Sequence, residues 1–164
     1  MKNKLLEGGI AILIIGIVLI STGAYVIASD IKSTKIWTRM DGNFYKSMDI
    51  KINDESLLIL SHGDVEFYLL NSSYSGSMNS TSLRVASIPP IETTDNEAIY
   101  DLDSGNYYII IHSNYTPRAS ISYISIDVLI IYGVMALAGL VFFILGIIFI
   151  PMAIMSSRRN SGNK

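Results

Sequence analysis

The run GGIAILIIGIVLISTGAYVIAS, residues 8–29, holds 22 residues without a charge. About 20 apolar helical residues cross a hydrocarbon core about 30 Å thick, so this run is long enough to span a membrane. A second charge-free run covers residues 128–157, from Val128 to Ser157. A water-soluble chain of 164 residues could not bury two such helices and still have anything to cover them. The first run follows Lys2 and Lys4, as a signal peptide would. It exceeds the 7–15 residues of a signal core and has no clean small-x-small cleavage site after it, so it reads as an uncleaved anchor. The second run exceeds a single span, which implies tilt or interfacial ends. Pro151 predicts a kink near one end, and Tyr132 falls where an interfacial aromatic belongs.

The flanks set the expected orientation. Lys2 and Lys4 precede the first run, and Arg158, Arg159 and Lys164 follow the second. Short basic flanks stay cytoplasmic, whereas long loops cross regardless of their own charge. The expected layout is a cell-membrane protein with cytoplasmic tails at 1–7 and 156–164 and membrane helices at 8–29 and 128–155. Residues 30–127 would be extracytoplasmic. Three Asn-x-Ser/Thr sequons, at Asn71, Asn79 and Asn114, all fall in this outer segment and are possible glycosylation sites there.

Gly9, Gly16 and Gly23 recur every seven residues, as do Gly139 and Gly146. Seven residues is close to two helical turns, so each set forms a stripe on one face. Small residues let helix backbones approach closely in lipid. The stripes predict an antiparallel pair packed through glycine, or a stripe reserved for a partner protein or a second copy. Glycine is also simply common in membrane helices. The membrane runs contain no ionisable side chain except tyrosine, which argues against an ion pathway.

Residues 31–127 are polar, with seven Lys/Arg against twelve Asp/Glu. No basic patch offers itself to nucleic acid. The absence of cysteine rules out disulfides and thiolate chemistry and leaves the domain to its core alone. Residues 47–52 alternate, with Met48, Ile50 and Ile52 expected on one face. Short strands are further expected at 57–60, 65–69, 83–85, 98–102, 107–111 and 119–126. Turns fall at 62–64 and 103–106, a long exposed loop at 71–81, and a stop at Pro89-Pro90. No helical period is evident between Ile31 and Asp127. The fold class is therefore two transmembrane helices flanking an antiparallel, jelly-roll-like β-sandwich, whose first and last strands lie close together.

Two stretches carry a family resemblance. Asp64-Val65-Glu66-Phe67-Tyr68-Leu69-Leu70-Asn71 and Leu102-Asp103-Ser104-Gly105-Asn106-Tyr107-Tyr108-Ile109-Ile110-Ile111 look like small jelly-roll modules of prokaryotic surface proteins. The second is similar to the L-x-x-G-x-Y-Y turn and strand of prepeptidase C-terminal domains, and it resembles the Golgi-dynamics domain of cargo-transport membrane proteins. The chain lacks the cysteine pair and coiled coil of many of the latter. The resemblance implies a binding or accessory module and brings no active-site residues.

Candidate chemistry is sparse. His62 and His112, without clustered ligands, do not make a zinc site. Ser61-His62-Gly63-Asp64 has the residue types of a hydrolytic triad, but neighbours in a turn diverge, so it reads as a polar turn. His112 reads as a partly buried structural histidine. Glu92, Asp95, Glu97, Asp101 and Asp103 lack the ligand spacing of a calcium loop and read as a solvated acidic stretch. Tyr68, Tyr74, Tyr100, Tyr107 and Tyr108 are either strand packing or an aromatic binding surface. The expectation is a protein without enzymatic activity or cofactor. It would contact membrane lipid and bind a protein partner or a second copy, through the outer domain or, as an accessory subunit, through its membrane helices.

Overall fold

A computed structural model describes residues 4–161, with side chains to residue 156. Lys2 and Lys164 lie outside the described residues, and Arg158 and Arg159 fall where the backbone alone is described. The chain divides into a helical unit, from its two ends, and a β unit spanning Asp30–Asp127.

The helical unit contains α1, Lys4–Asp30, and α3, Ile126–Ser161. Both are long and apolar enough to cross a membrane. The α3 helix continues through Pro151. The two run antiparallel, because Gly9 lies beside Phe149 and Ile150, Gly16 beside Gly139 and Phe143, and Gly23 beside Tyr132 and Ala136. The approach is of backbone on backbone. A methyl group on Gly16 would sit 2.5 Å from the Phe143 nitrogen, and one on Gly139 would sit 2.8 Å from the Ile20 nitrogen. Gly146 has the Leu13 Cβ at 2.6 Å from the same built position. Gly8 and Gly133 meet nothing within 4 Å. The buried residues of α1 are its three stripe glycines, while Ile10, Ile14, Val18, Ile131, Val134 and Leu137 are exposed.

The β unit contains ten strands and one short helix among the described residues. The strands are β1 Lys32–Thr34, β2 Trp37–Arg39, β3 Phe44–Ser47, β4 Ile50–Ile52, β5 Ser56–Ser61, β6 Glu66–Asn71, β7 Glu92–Thr93, β8 Glu97–Leu102, β9 Gly105–His112 and β10 Ser120–Ser125. The helix α2, Ser80–Ala86, follows β6. All strand pairings are antiparallel. The first sheet has the order β1-β10-β5-β8-β7. In the second, β2 pairs β3, β3 and β4 lie in succession along one edge of β9, and β6 takes its other edge. The first and last strands are neighbours, with Lys32 opposite Tyr123.

Alternation assigns the faces. Leu58, Leu60, Tyr100, Leu102 and Ile121 of the first sheet share one buried cluster with Ile50, Ile52, Leu69, Ile109 and Ile111 of the second. The most β-prone run becomes β9, the hub of the second sheet, with five consecutive residues buried from Tyr107 to Ile111.

Two expectations are corrected. Residues 47–52 are not one alternating strand. Lys46 pairs with Ile110 and Ile50 with Tyr107, so four steps on one strand oppose three on the other. The extra residue is a β-bulge, which reverses the inward set on crossing it. Ser47 turns inward and Met48 outward, 52% exposed. The Ser47 Oγ accepts the Ile109 amide at 2.9 Å and donates to the Met48 carbonyl, which repairs the ladder. The second correction concerns Leu83 and Val85, which lie on a helix rather than a strand. Asn79 caps it by accepting the Ser82 amide at 2.8 Å, and Leu83 is its buried residue.

Candidate partner-binding face

The two sheets present different outer faces. On the first, the register aligns Ser33, Ser122, Ile59, Ile99 and Glu92 across five strands. The adjoining row holds Ile124, Leu57 and Asp101, and the next holds Ser120, Ser61 and Glu97. The outward side chains thus form an aliphatic strip, Ile124, Leu57, Ile59 and Ile99. Serines border it on the β10 side and carboxylates on the β7 and β8 side. Ile59, in the middle strand, is 36% exposed. The helix of the β unit packs instead on β6, in the second sheet.

The outer face of the second sheet is covered. Tyr68, Leu70, Tyr108 and Ile110 pack with Leu83 of α2 into a second cluster, bordered by Met40, Phe44 and Tyr74. Glu66 ties its rim together. It accepts from the Tyr68 hydroxyl at 3.1 Å, pairs with Arg84 at 3.3 Å and lies 3.4 Å from the His112 Nδ1. The Tyr68 hydrogen bond, followed by those from His112 and the charge of Arg84, holds the Glu66 carboxyl below its ordinary range. His112 also stacks on Phe44, with ring centroids 4.8 Å apart. Lys46 sits over the Tyr108 ring and pairs with Asp49. Burial, then the neighbouring Tyr74 and Asp49, raises the Tyr108 hydroxyl, and burial alone pushes Tyr100 well above its usual range.

The residues singled out in the sequence do not converge. His62 donates from Nδ1 to the Gly63 carbonyl, 2.7 Å away, and rests on Phe67. Its Nε2 is buried and makes no hydrogen bond among the described residues. His112 sits on the opposite face of the second sheet. The acidic residues are strung along β7, β8 and their turns, and among the described residues no three metal-binding side chains gather. Of the five tyrosines, Tyr68, Tyr100, Tyr107 and Tyr108 are buried and Tyr74 is half-buried, so they are packing rather than a surface. Tyr115, on the loop before β10, is 82% exposed. It lines a shallow hollow of about 460 Å³ with Asp64, Glu66 and His112. The stripe glycines face one another between α1 and α3. The sequon asparagines are exposed. Asn71 accepts from Ser73 in a local turn, Asn79 caps α2, and Asn114 accepts from the Asn43 side chain.

The aliphatic strip was signalled in the sequence by Leu57-Leu58-Ile59-Leu60. Four consecutive apolar residues fill both faces of a strand, one more face than a two-sheet core needs. Ala153, buried seven residues after Gly146, continues the small-residue stripe of α3. No protein-family model matches the chain, and no curated protein matches it significantly.

Proposed function

We propose that this chain is a cell-membrane protein whose jelly-roll-like β-sandwich, residues 30–127, is held outside the membrane and binds a protein partner without enzymatic activity. The aliphatic strip on the first sheet carries this reading. Ile59 is exposed and Leu57, Ile99 and Ile124 are half-buried, while the small-residue surfaces of the helices are occupied by each other. The strand order favours the jelly-roll description. It places the last strand between the first and the fifth, and the Leu69–Ile88 bridge supplies the vestige of a strand beside β6. Membrane insertion is supported by a helix pair that buries glycine and exposes isoleucine, an arrangement suited to lipid and costly in water. The basic ends support cytoplasmic tails.

Two experiments test the reading. Because the chain is cysteine-free, single cysteines report topology with an impermeant maleimide. Val85→Cys and Tyr115→Cys should label in intact cells and Asn3→Cys only after lysis; the reverse pattern refutes the orientation. Purification of the full chain in mild detergent should recover a stoichiometric protein. That protein should be lost with Ile59→Asn/Ile99→Asn and kept with Leu137→Ala/Val141→Ala. The opposite loss would favour the second reading, an accessory subunit bound through the exposed apolar surface of α3.

A further inference from the structure

We infer that the outer face of the first sheet receives a cationic, aliphatic segment of another protein. This deepens the binding-module reading and rests on it. The face places Glu92, Glu97 and Asp101 beside the strip Ile124, Leu57, Ile59 and Ile99, and the register brings no Lys or Arg onto it. Any surface that covers the aliphatic residues must sit opposite those carboxylates. A second copy meeting the same face would oppose like charges, which is penalised at an interface. An anionic lipid surface meets the same objection. A Lys- or Arg-bearing segment gains from both halves of the face.

Size narrows the occupant further. Strands lie about 4.8 Å apart and rise about 3.4 Å per residue, so β1, β10, β5 and β8 offer a patch of about 15 by 20 Å. That is well below the roughly 800 Å² that each globular partner contributes to a stable interface. It suits one amphipathic helix or extended segment, with aliphatic residues on the strip and basic ones reaching toward β7 and β8. The sequons agree with this placement. Asn71 ends β6, Asn79 caps α2 and Asn114 lies between β9 and β10, so sugars on them would leave the face open.

Photo-crosslinking of the full-length protein in its native membrane tests this, with benzoylphenylalanine replacing Ser122 beside the strip or, as a control, Val85 on α2. The expected result is an adduct from position 122 and none from position 85, on a peptide with several Lys or Arg among aliphatic residues. Glu97→Gln/Asp101→Asn, which leaves the strip intact, should cut the yield at least about tenfold, and so should 1 M salt, where screening acts within about 3 Å. An adduct on an acidic or neutral peptide, on lipid or on a second copy overturns the inference. So does a yield indifferent to the double variant. These outcomes leave the binding-module reading standing if the detergent-purified partner still depends on Ile59 and Ile99. No adduct from position 122, together with a partner that survives Ile59→Asn/Ile99→Asn, overturns both.

Discussion

The helix pair and the β unit are packed by opposite rules. Between α1 and α3 the smallest side chains are inside and the large aliphatic ones outside. In the β unit, Leu58, Leu60, Leu69, Ile109 and Ile111 are fully buried. In water, burying large apolar side chains drives folding. In lipid the surroundings are as apolar as leucine, and what remains is close backbone contact. The contrast supports the proposed placement of the helix pair in lipid and of the β unit in water.

Opposite rules predict opposite sensitivities. The largest effect belongs to the β unit: Ile109→Ala should lower its stability by about 2–5 kcal/mol, read by denaturant unfolding of the full chain in detergent micelles. A near-neutral result would mean that the two sheets do not share a core. The helix pair should tolerate shrinkage and resist growth. Gly16→Leu or Gly139→Leu should cost up to about 3 kcal/mol by overpacking, seen as earlier melting of the helical signal, while Gly8→Leu and Gly133→Leu should leave it in place. Equal effects at all four positions would break the comparison.

Smaller effects sharpen it within the β unit. Ser47→Ala leaves the Ile109 amide buried without its acceptor, at a cost of about 1–3 kcal/mol, and hydrogen exchange should rise first at the bulge. Asn79→Ala removes the cap of α2 and should cost about 1 kcal/mol. The smallest effect belongs to Glu66. Its lowered pKa means that the ionised form is favoured in the fold. The contribution is therefore present above the ordinary glutamate range and lost as pH falls through the lowered value. Half-exposed, it is worth about a few tenths of a kcal/mol. A titration of stability in Glu66→Gln should be flatter than wild type on the acid side; identical curves would show the rim contributes nothing.

The helices were legible in the sequence because an uncharged run has few alternatives. The strands were legible wherever alternation held, as from Glu97 to Leu102, and around Tyr107–Ile111, where the aromatic and β-branched run is dense. What failed was local. The bulge at Met48 is invisible because the apparent alternation from Ser47 to Ile52 continues through it; only the partner strand reveals the extra residue. The α2 helix has one buried side chain, Leu83, so it has no period to find, and its capping asparagine was absorbed into a tract of Ser and Asn. The exposed strip escaped notice because an apolar run reads as core whichever sheet it joins. The tyrosines stayed open between packing and surface for a related reason, since residue type alone does not distinguish a ring packed under α2 from one facing solvent.

One rung of the first sheet bears on how the whole chain assembles. Lys32 lies opposite Tyr123, so the folded β unit brings together the ends of a connection that runs about 95 residues, from Asp30 to Ile126. Loop-closure entropy rises by about 0.6 kcal/mol for each doubling of length. Shortening that connection to the equivalent of a few residues is about five doublings, or about 3 kcal/mol of effective concentration for the helical hairpin. By joining its own first and last strands, the β unit makes two helices at opposite ends of the sequence behave as near neighbours along the chain.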